Sequence, residues 1–340
     1  MLEDFRARGF RTFEDLEIPR LGRVNLIVGR NNVGKTMLLH ALRIFRARGV
    51  QHAIVDMLDM RDEVGRPKAS RDASGPEITL TRLFHGSFAS ASMAPTITLE
   101  SRSASPRRVM IGVNLSEAET SETTIVNYEA TDDPLSIKYE KIVHHVPRSQ
   151  LPILLEANRF NDYRLASWWD SVSLTSSEAR VIECLELISP IERVAYVSHP
   201  FSTEHYDRGR MAMVKLRDAE QPQPLKSLGD GVSHMFSMAL ALEIARESGM
   251  LLIDEIENGI HYSLLPDFWR FLFEATAQSG VQLFATSHSW DCIEAFQQAA
   301  SEEPGAGVLV KLARREGKVA ATVFEDEDLA IATREGIELR

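Results

Sequence analysis

The segment Gly29–Thr36 constrains this chain more than any other part of the sequence. Its residues, GRNNVGKT, fit the pattern G-x-x-x-x-G-K-[ST] in full, and they stand between an apolar run, Val24–Val28, and a stretch with helical spacing, 37–45. This pattern has a structural meaning when it follows a strand and opens a helix. It therefore predicts an α/β fold in which backbone N–H groups of a glycine-rich turn wrap a chain of phosphates.

Each position of this phosphate loop has an expected part. We expect Lys35 to reach the β- and γ-phosphates of a nucleotide and to take part in catalysis, and Thr36 to ligate Mg²⁺. The alternative, a turn that only joins a strand to a helix, is disfavoured by the full match. The residues expected to contact the nucleotide are Gly29, Arg30, Asn31, Asn32, Val33, Gly34, Lys35 and Thr36.

Polar residues also follow two apolar strands nearer the carboxyl end. The run Met250–Ile253 ends in Asp254 and Glu255, and the run 281–285 leads into His288. Ligands bind at the carboxyl ends of parallel strands in such sheets. We expect Asp254 to hold the metal, Glu255 to polarise the attacking water, and His288 to sense the γ-phosphate or orient that water. Without the phosphate loop, the acid pair would be better explained as charge at a helix start, and the histidine as incidental.

The remaining segments predict a mixed sheet covered by helices, with a separate β lobe. We divide the chain into 1–76, with the phosphate loop, 77–145, an antiparallel β lobe, 146–225, a helical insertion with connecting strands, and 226–340. Thr175 and Glu178 form a capping-box pattern. The expected strands are 2–10, 12–19, 24–28, 77–84, 96–100, 108–115, 124–129, 136–142, 192–197, 211–216, 250–253 and 281–285; the expected helices lie in 37–45, 150–192, 233–246 and 263–277, and 61–76 is expected to be a surface loop.

Composition narrows the classes of protein further. With 340 residues, 44% apolar and 26% charged, the chain is long enough for a substantial core and has ordinary globular usage. Its two cysteines cannot form a disulfide framework. No apolar run reaches about 18 residues, and the amino terminus lacks the apolar core of a signal peptide. We therefore expect a cytoplasmic protein without a membrane partner.

Charge is distributed unevenly along the chain. The net charge is −11, yet residues 1–50 contain ten Lys and Arg against five Asp and Glu, so the other 290 residues carry a net charge of −16. A basic surface attracts nucleic acid. Nucleic-acid binding therefore stays open, although arginines scattered over a solvated face explain the same count.

The order of these motifs resembles that of the ATP-binding-cassette (ABC) class of P-loop ATPases. Residues 228–242 align without a gap with the LSGGQ signature of that class and its following helix, although Gly229 stands where the class has a serine. The resemblance implies a P-loop NTPase of the ABC-ATPase-head type. It also implies that Ser227, a candidate substitute for that serine, together with Gly229 and Gly231, contacts the nucleotide of a second copy.

Within that class, the chain resembles the overcoming-lysogenization-defect (OLD) ATPases. The resemblance is carried by Phe10–Phe13, the phosphate loop, the SLGDG stretch 227–231 and the unit Asp254–His261. Only 52 residues follow His288, too few for the TOPRIM nuclease domain of fused relatives, so the stand-alone form is implied.

The OLD resemblance implies several partners and cofactors. ATP and Mg²⁺ would be the cofactors, and two ATP molecules would be sandwiched in a homodimer or higher oligomer. Arg11 would contact the nucleotide, and His261 would face the second copy. A separately encoded effector, such as a nuclease or toxin, would be regulated in antiphage defence.

Two other functions are compatible with the same motifs. One is a scaffold that ATP clamps with little turnover. The other is a DNA-repair or chromosome-organising ATPase, like the recombination-mediator and structural-maintenance-of-chromosomes (SMC) heads; the net charge of −11 and the absence of a long heptad arm disfavour it. A transporter ATPase has the least support.

Overall fold

The computed structural model describes residues 1–63, 80–86, 96–103, 106–113, 123–130, 137–139, 150–156, 162–198 and 209–334. The strands are β1 (Phe5–Phe10), β2 (Phe13–Ile18), β3 (Val24–Val28), β4 (Thr96–Ser101), β5 (Arg107–Val113), β6 (Thr123–Ala130), β7 (Ile137–Tyr139), β8 (Ile153–Leu155), β9 (Ile191–Ser198), β10 (Arg210–Leu216), β11 (Gln223–Pro224), β12 (Met250–Ile253), β13 (Gln282–Ser287), β14 (Gly307–Arg315) and β15 (Lys318–Phe324). The α-helices are α1 (Lys35–Arg46), α2 (Gln51–Met60), α3 (Asp162–Val172), α4 (Ser176–Glu186), α5 (Asp230–Ile244), α6 (Leu265–Ser279), α7 (Trp290–Glu302) and α8 (Asp326–Arg334).

The strands form three sheets, with the orders β2-β1-β4-β5-β6-β7, β11-β10-β9 and β15-β14-β3-β13-β12-β8. The chain divides into two compact units, each made of separate stretches. Unit 1 comprises Met1–Gly22, Ile27–Pro152 and Val310–Val323, and unit 2 comprises Arg23–Leu26, Ile153–Leu309 and Phe324–Arg340. The four-segment division drawn from the sequence stays a prediction.

The amino-terminal elements are those that the sequence predicts; β1, β2 and α1 belong to unit 1, whereas β3 contributes residues 24–26 to unit 2 and 27–28 to unit 1. β1 and β2 pair antiparallel, with Phe5 opposite Ile18 and Phe10 opposite Phe13. All residues of β3 are buried, and α1 buries one continuous stretch from Met37 to Phe45. A wholly buried strand followed by a helix with this burial is what a covered sheet requires.

The expected β lobe is partly wrong in its details. β4 pairs antiparallel with both β1 and β5, but β5 and β6 pair parallel. Alternation along a strand reports which face is buried and does not report strand direction. Residues 80–83 form a 3₁₀ turn instead of a strand, and the following Phe84 makes a single bridge to Phe10. Residues 64–76 of the expected surface loop lie outside the described residues.

Unit 2 contains the helices expected between 150 and 192, together with one strand that the sequence reading missed. The helices are α3 and α4; at the start of α4 the Thr175 side chain accepts the N–H of Ser177, and the Glu178 carboxylate accepts the N–H of Leu174. The missed strand is β8, which pairs parallel with β12. Three apolar residues are too few for periodicity to separate a strand from a helix.

Two other strands of unit 2 form a sheet of their own. β9 and β10, which lie where connecting strands were expected, pair antiparallel and form a small sheet with β11. Antiparallel neighbours need no crossover helix, and none is described between these two strands. Among the described helices, none is long and apolar enough to cross a bilayer.

In unit 2, β12 and β13 run parallel, with Met250 opposite Gln282 and Ile253 opposite Ala285. Both strands are fully buried. In this register the carboxyl ends of the two strands lie next to each other. The polar residues that follow β12 are therefore next to those that end and follow β13.

Candidate functional site

The phosphate loop lies in unit 1 and is shaped by backbone conformations that favour glycine. Gly29 and Gly34 have φ angles of 145° and 112°, and Asn32 also adopts a positive φ of 60°. A Cβ on Gly34 would lie 2.8 Å from Oγ1 of Thr12 and about 3 Å from the ring of Phe13. A side chain at position 34 would therefore both strain the loop and displace its neighbours.

The side chain of Lys35 folds back onto the first residues of the phosphate loop. Its Nζ donates to the carbonyl oxygens of Gly29 at 2.7 Å and Arg30 at 3.3 Å. Gly34 is the N-cap of α1 and offers no side-chain acceptor there, so the start of the helix keeps its affinity for an anion.

The other loop residues divide by exposure. Arg30, Asn31 and Asn32 are exposed, whereas Val33 is 4% exposed and anchors the loop in the core. Thr36 is half-buried in the first turn of α1. The expected nucleotide contacts of these residues stay predictions, and the exposed tip is accessible to a ligand.

Arg11 is held by a carboxylate of the same unit. Its Nη1 and Nη2 donate to Oε1 and Oε2 of Glu63 at 3.1 and 2.5 Å, and both side chains are 10% exposed. Burial would raise the pKa of Glu63, but the hydrogen bonds and charge of Arg11 outweigh it and keep that pKa below its ordinary value. The nucleotide contact expected of Arg11 stays a prediction, and this ion pair competes with it.

The acid pair lies in unit 2, directly after β12, and a threonine at the end of β13 positions it. Thr286 Oγ1 donates to Oδ1 of Asp254 at 2.5 Å and accepts the backbone N–H of Glu255 at 2.8 Å. Thr286 is fully buried, and its carbonyl accepts the N–H of Ile256 at 3.1 Å. Glu255 has a φ of 53°, which is strained for a glutamate and is the kind of conformation that active sites hold in place.

The turn after β13 that carries His288 is in its turn held by Glu257, an acid that follows β12. Oε1 of Glu257 accepts the hydroxyl of Ser287 at 2.9 Å and the N–H groups of His288 and Ser289 at 3.0 and 3.2 Å. Nδ1 of His288 lies 3.4 Å from that oxygen and 4.0 Å from Oε1 of Glu255.

These reciprocal bonds make one arrangement, which we call the clasp. Its members are Asp254, Glu255, Glu257, Thr286, Ser287, His288 and Ser289. The side chains of His288 and Glu255 are 54% and 43% exposed, whereas that of Glu257 is 11% exposed. The clasp therefore brings together three residues that the sequence singled out and presents two of them to solvent, where a water could be polarised.

Thr286 and Glu257 are the functional candidates that sequence reasoning missed. Thr286 belongs to the TSHS stretch and Glu257 follows the acid pair by two residues. A hydroxyl near the carboxyl end of a buried strand is the signal that could have marked Thr286 as a hydrogen-bonding residue. Nothing local to Glu257 indicates that its partners lie 30 to 32 residues away.

The signature stretch forms a 3₁₀ turn, Leu225–Leu228, followed by α5. Gly229 caps α5 with a φ of 104°, and Ser227 and Gly229 are exposed. Gly231 has a packing reason to lack a side chain, because a Cβ there would collide with the carbonyl oxygen of Gly259. Ser227 and Gly229 are thus accessible to a ligand, and Gly231 holds α5 close to the segment after the acid pair.

His261 begins the short 3₁₀ turn Tyr262–Leu264. Its Nδ1 lies 2.8 Å from the hydroxyl of Ser263, and its ring centroid lies 4.4 Å from that of Tyr262. Both aromatic side chains are exposed. Its contact with a second copy stays a prediction.

Comparison with known proteins relates the chain to nucleotide-hydrolysing proteins. Residues 213–291 match the family described as "AAA domain, putative AbiEii toxin, Type IV TA system". The chain is 22% identical to an ATP/GTP phosphatase of Helicobacter pylori over 347 aligned residues, which cover 89% of each protein. It is also 32% identical over 115 residues to the uncharacterized protein MJECL11 of Methanocaldococcus jannaschii, covering 33% of this chain and 99% of that one.

Solved structures confirm the expected fold class. An Smc head bound to the C-winged helix domain of ScpA matches with a TM-score of 0.55 and 14% identity, over 95% of this chain and 98% of that one. An Smc head with an extended coiled coil from Pyrococcus furiosus, bound to the C-terminal domain of ScpA, matches with a TM-score of 0.51 and 11% identity over 99% of each chain. The chain thus has the α/β P-loop NTPase fold of SMC and ABC ATPase heads, with a mixed sheet and helices.

The residues at both places have the chemistry that a magnesium nucleotide requires. The glycine at position 34 leaves a cradle that a Cβ would fill, and an ammonium group and a helix start adjoin it. A threonine hydroxyl and an aspartate carboxylate are oxygen donors of the kind that Mg²⁺ prefers. Thr36 in unit 1 and Asp254 in unit 2 each supply such a donor, and their shared hold on the expected cation stays a prediction.

Proposed function

We propose that this chain is an Mg²⁺-dependent ATPase of the OLD type. The observation that carries the proposal is the phosphate loop, whose full sequence match folds with Gly29 and Gly34 at positive φ and with Lys35 closed over its carbonyl oxygens. The similarity to a Helicobacter pylori ATP/GTP phosphatase over most of both chains supports the same activity.

The proposed mechanism assigns a part to each group of the chain. Lys35 and the start of α1 bind the phosphates, and Thr36 and Asp254 would hold Mg²⁺. The bound cation would neutralise charge on the phosphates. Glu255 orients the attacking water and accepts its proton, and His288 holds that water or the γ-phosphate in place.

The proposed biological role is the control of a partner protein. Ser227 and Gly229 are exposed at the start of α5, where a second copy could cover them. We propose that ATP binding drives formation of a homodimer, and that this change regulates a separately encoded effector in antiphage defence in the cytoplasm. The similarity to a family described as a putative toxin of a toxin–antitoxin system fits a role in defence.

A nucleic-acid role has less support from the structure. Several amino-terminal arginines, which make residues 1–50 basic, are paired with carboxylates among the described residues. The pairs are Arg6 with Asp15, Arg8 with Glu100, Arg11 with Glu63, Arg23 with Glu303, and Arg43 with Asp56. Loss of salt-sensitive DNA binding on mutation of these arginines would favour that role instead.

The test compares the wild-type chain with Glu255→Gln and Lys35→Ala. We expect Glu255→Gln to bind MgATP normally, to lose about 100-fold or more of its turnover, and to accumulate as a dimer, because general-base catalysis contributes about 10²- to 10⁴-fold. Lys35→Ala should show no heat of association with MgATP in calorimetry. Glu294→Gln, an exposed glutamate on α7, is the matched control and should leave phosphate release unchanged.

A wild-type chain that takes up no MgATP would overturn the ATPase proposal. Equal phosphate release by the wild type and Glu255→Gln would overturn the assignment of Glu255 as the general base. Binding with negligible wild-type turnover would favour the ATP-clamped scaffold.

A further inference from the structure

We propose that Glu257 is a positioning residue that holds His288 in its working place beside Glu255. The inference rests on the proposed function, because it assigns a part in that reaction to a residue with no role so far. It goes beyond that function in naming which group fixes the histidine.

The bonds of Glu257 converge on a single turn. One carboxylate oxygen, Oε1, accepts three donors, the hydroxyl of Ser287 and the N–H groups of His288 and Ser289, at 2.9 to 3.2 Å. Hydrogen bonds to an ionised acceptor are roughly twice as strong as neutral ones. The other oxygen, Oε2, is buried and accepts no hydrogen bond from the described residues. The contribution of this side chain is therefore concentrated in Oε1.

The turn needs this acceptor because of where it lies. The chain leaves the fully buried strand β13 and enters α7 within three residues, with Ser289 as the N-cap. The N–H of His288 has no strand partner in the parallel pairing of β12 with β13, which ends at Ala285. The N–H of Ser289 is shared between Oε1 of Glu257 at 3.2 Å and the hydroxyl of Ser287 at 3.0 Å. An acceptor from the segment after β12 thus fixes the direction of the turn.

The imidazole depends on the turn for its position. The side chain of His288 is 54% exposed, so packing constrains it little. Its Nδ1 lies 3.4 Å from Oε1 of Glu257 and 4.0 Å from Oε1 of Glu255. A shift of the backbone at 288 and 289 would change its separation from the candidate base, and misplacement by about 1 Å can cost about 100-fold in rate.

A double-mutant cycle separates positioning from general support of the fold. We expect Glu257→Ala to lower kcat for ATP about tenfold or more, with KM changed less than about twofold. In the His288→Ala background the same change should lower kcat less than about twofold, because it acts through the histidine. Glu257→Gln, which retains an oxygen acceptor, should restore most of kcat. An equal loss with and without His288, or no loss, would overturn the proposal.

A second readout needs no catalysis. In the ligand-free chain, the amide of His288 should exchange with solvent at least about tenfold faster in Glu257→Ala than in the wild type, and Glu257→Gln should stay near the wild type. Should Glu257→Ala unfold, Glu257→Asp keeps the charge but withdraws the oxygen by one methylene, and it should show the same faster exchange. Unchanged exchange would overturn the proposal. A wild type without ATP hydrolysis, but with this exchange pattern, would instead count against the proposed function alone.

Discussion

The phosphate loop of unit 1 and the clasp of unit 2 are built in opposite ways. The loop is one continuous segment, and its shape comes from backbone angles and from a lysine that bonds to carbonyls five and six residues earlier. The clasp joins residues 30 to 32 positions apart through side-chain hydrogen bonds. The loop should therefore be sensitive to added volume, and the clasp to the loss of a single polar atom.

The largest effect is expected from Gly34→Ala in the phosphate loop. The added Cβ would lie 2.8 Å from Oγ1 of Thr12, at a φ of 112°. We expect this contact to move the loop so that at least two of its charge-assisted hydrogen bonds to the nucleotide phosphates are lost. That loss corresponds to about 100-fold or more in affinity for MgATP. Calorimetry with MgATP measures this loss.

Gly317→Ala is the matched control for the loop. Gly317 also has a positive φ, of 83°, but a Cβ there would meet nothing within 4 Å. Both variants should lose about 1 kcal/mol of stability from backbone strain, and only Gly34→Ala should lose nucleotide affinity. Equal affinity in the two variants would contradict the account of the loop.

A smaller effect is expected from Thr286→Val in the clasp. Valine keeps the shape of the side chain but removes the hydroxyl that bonds to Asp254 and Glu255. We expect kcat to fall about tenfold, the cost of about one hydrogen bond to a charged group, while MgATP still binds. Steady-state kinetics and calorimetry on the same samples distinguish the two quantities.

Thr276→Val controls for the loss of a buried hydroxyl. Thr276 is also fully buried, and its hydroxyl donates to the carbonyl of Phe273 in α6. This variant should lose comparable stability and keep its kcat. A similar fall in kcat for both would mean that the clasp does not position the acids.

The smallest effect on catalysis is expected from Glu243→Gln, away from both regions. The Glu243 carboxylate is 3% exposed and accepts Nε and Nη2 of Arg180 at 2.7 and 2.6 Å and the hydroxyl of Ser177 at 2.5 Å. Burial opposes the charge, but the bonds from Arg180 and Ser177 outweigh burial and lower the pKa of Glu243 below its ordinary value. Its ionised form therefore stabilises the fold.

The sign of the pH dependence follows from that lowered pKa. The stabilisation is present above the unfolded pKa of about 4.3 and is lost as the pH falls through the lower folded pKa. At pH 7 we expect Glu243→Gln to reduce the free energy of unfolding by about 2 kcal/mol, and the difference from the wild type to shrink below about pH 4. Urea titrations across this range measure it, and kcat should stay within about twofold. A difference independent of pH would contradict the assignment.

The exposed ion pair between Glu192 and Lys215 provides the control for Glu243→Gln. Glu192 bonds to Lys215, and both side chains are more than 40% exposed. Such pairs are screened by solvent, so Glu192→Gln should leave the urea midpoint unchanged.

The secondary structure was predictable where the apolar pattern and turn residues that specify an element lie within one segment. β1, β2, β3, α1 and the ends of β12 and β13 are close to their expected places because burial and turn chemistry are written in consecutive residues. Strand direction was not predictable in the same way. The parallel pairing of β5 with β6 and the separate sheet of β9 and β10 depend on how the chain returns between strands.

The candidate site shows the same limit residue by residue. Asp254, Glu255 and His288 could be identified because each follows an apolar run. Thr286 and Glu257 could not be assigned their roles, because the role of a hydroxyl or carboxylate group depends on its hydrogen-bond partner, and the partners here are distant in the sequence. Arg11 has the reverse problem, since the sequence gives no sign that Glu63 holds its guanidinium.

The sequence by itself determined the phosphate loop, because eight consecutive residues contain both the glycines that the turn requires and the lysine and threonine that it presents. Only the tertiary structure decided the clasp. The pairing of β12 with β13 brings together side chains from two distant segments, and their hydrogen bonds exist only in the folded protein.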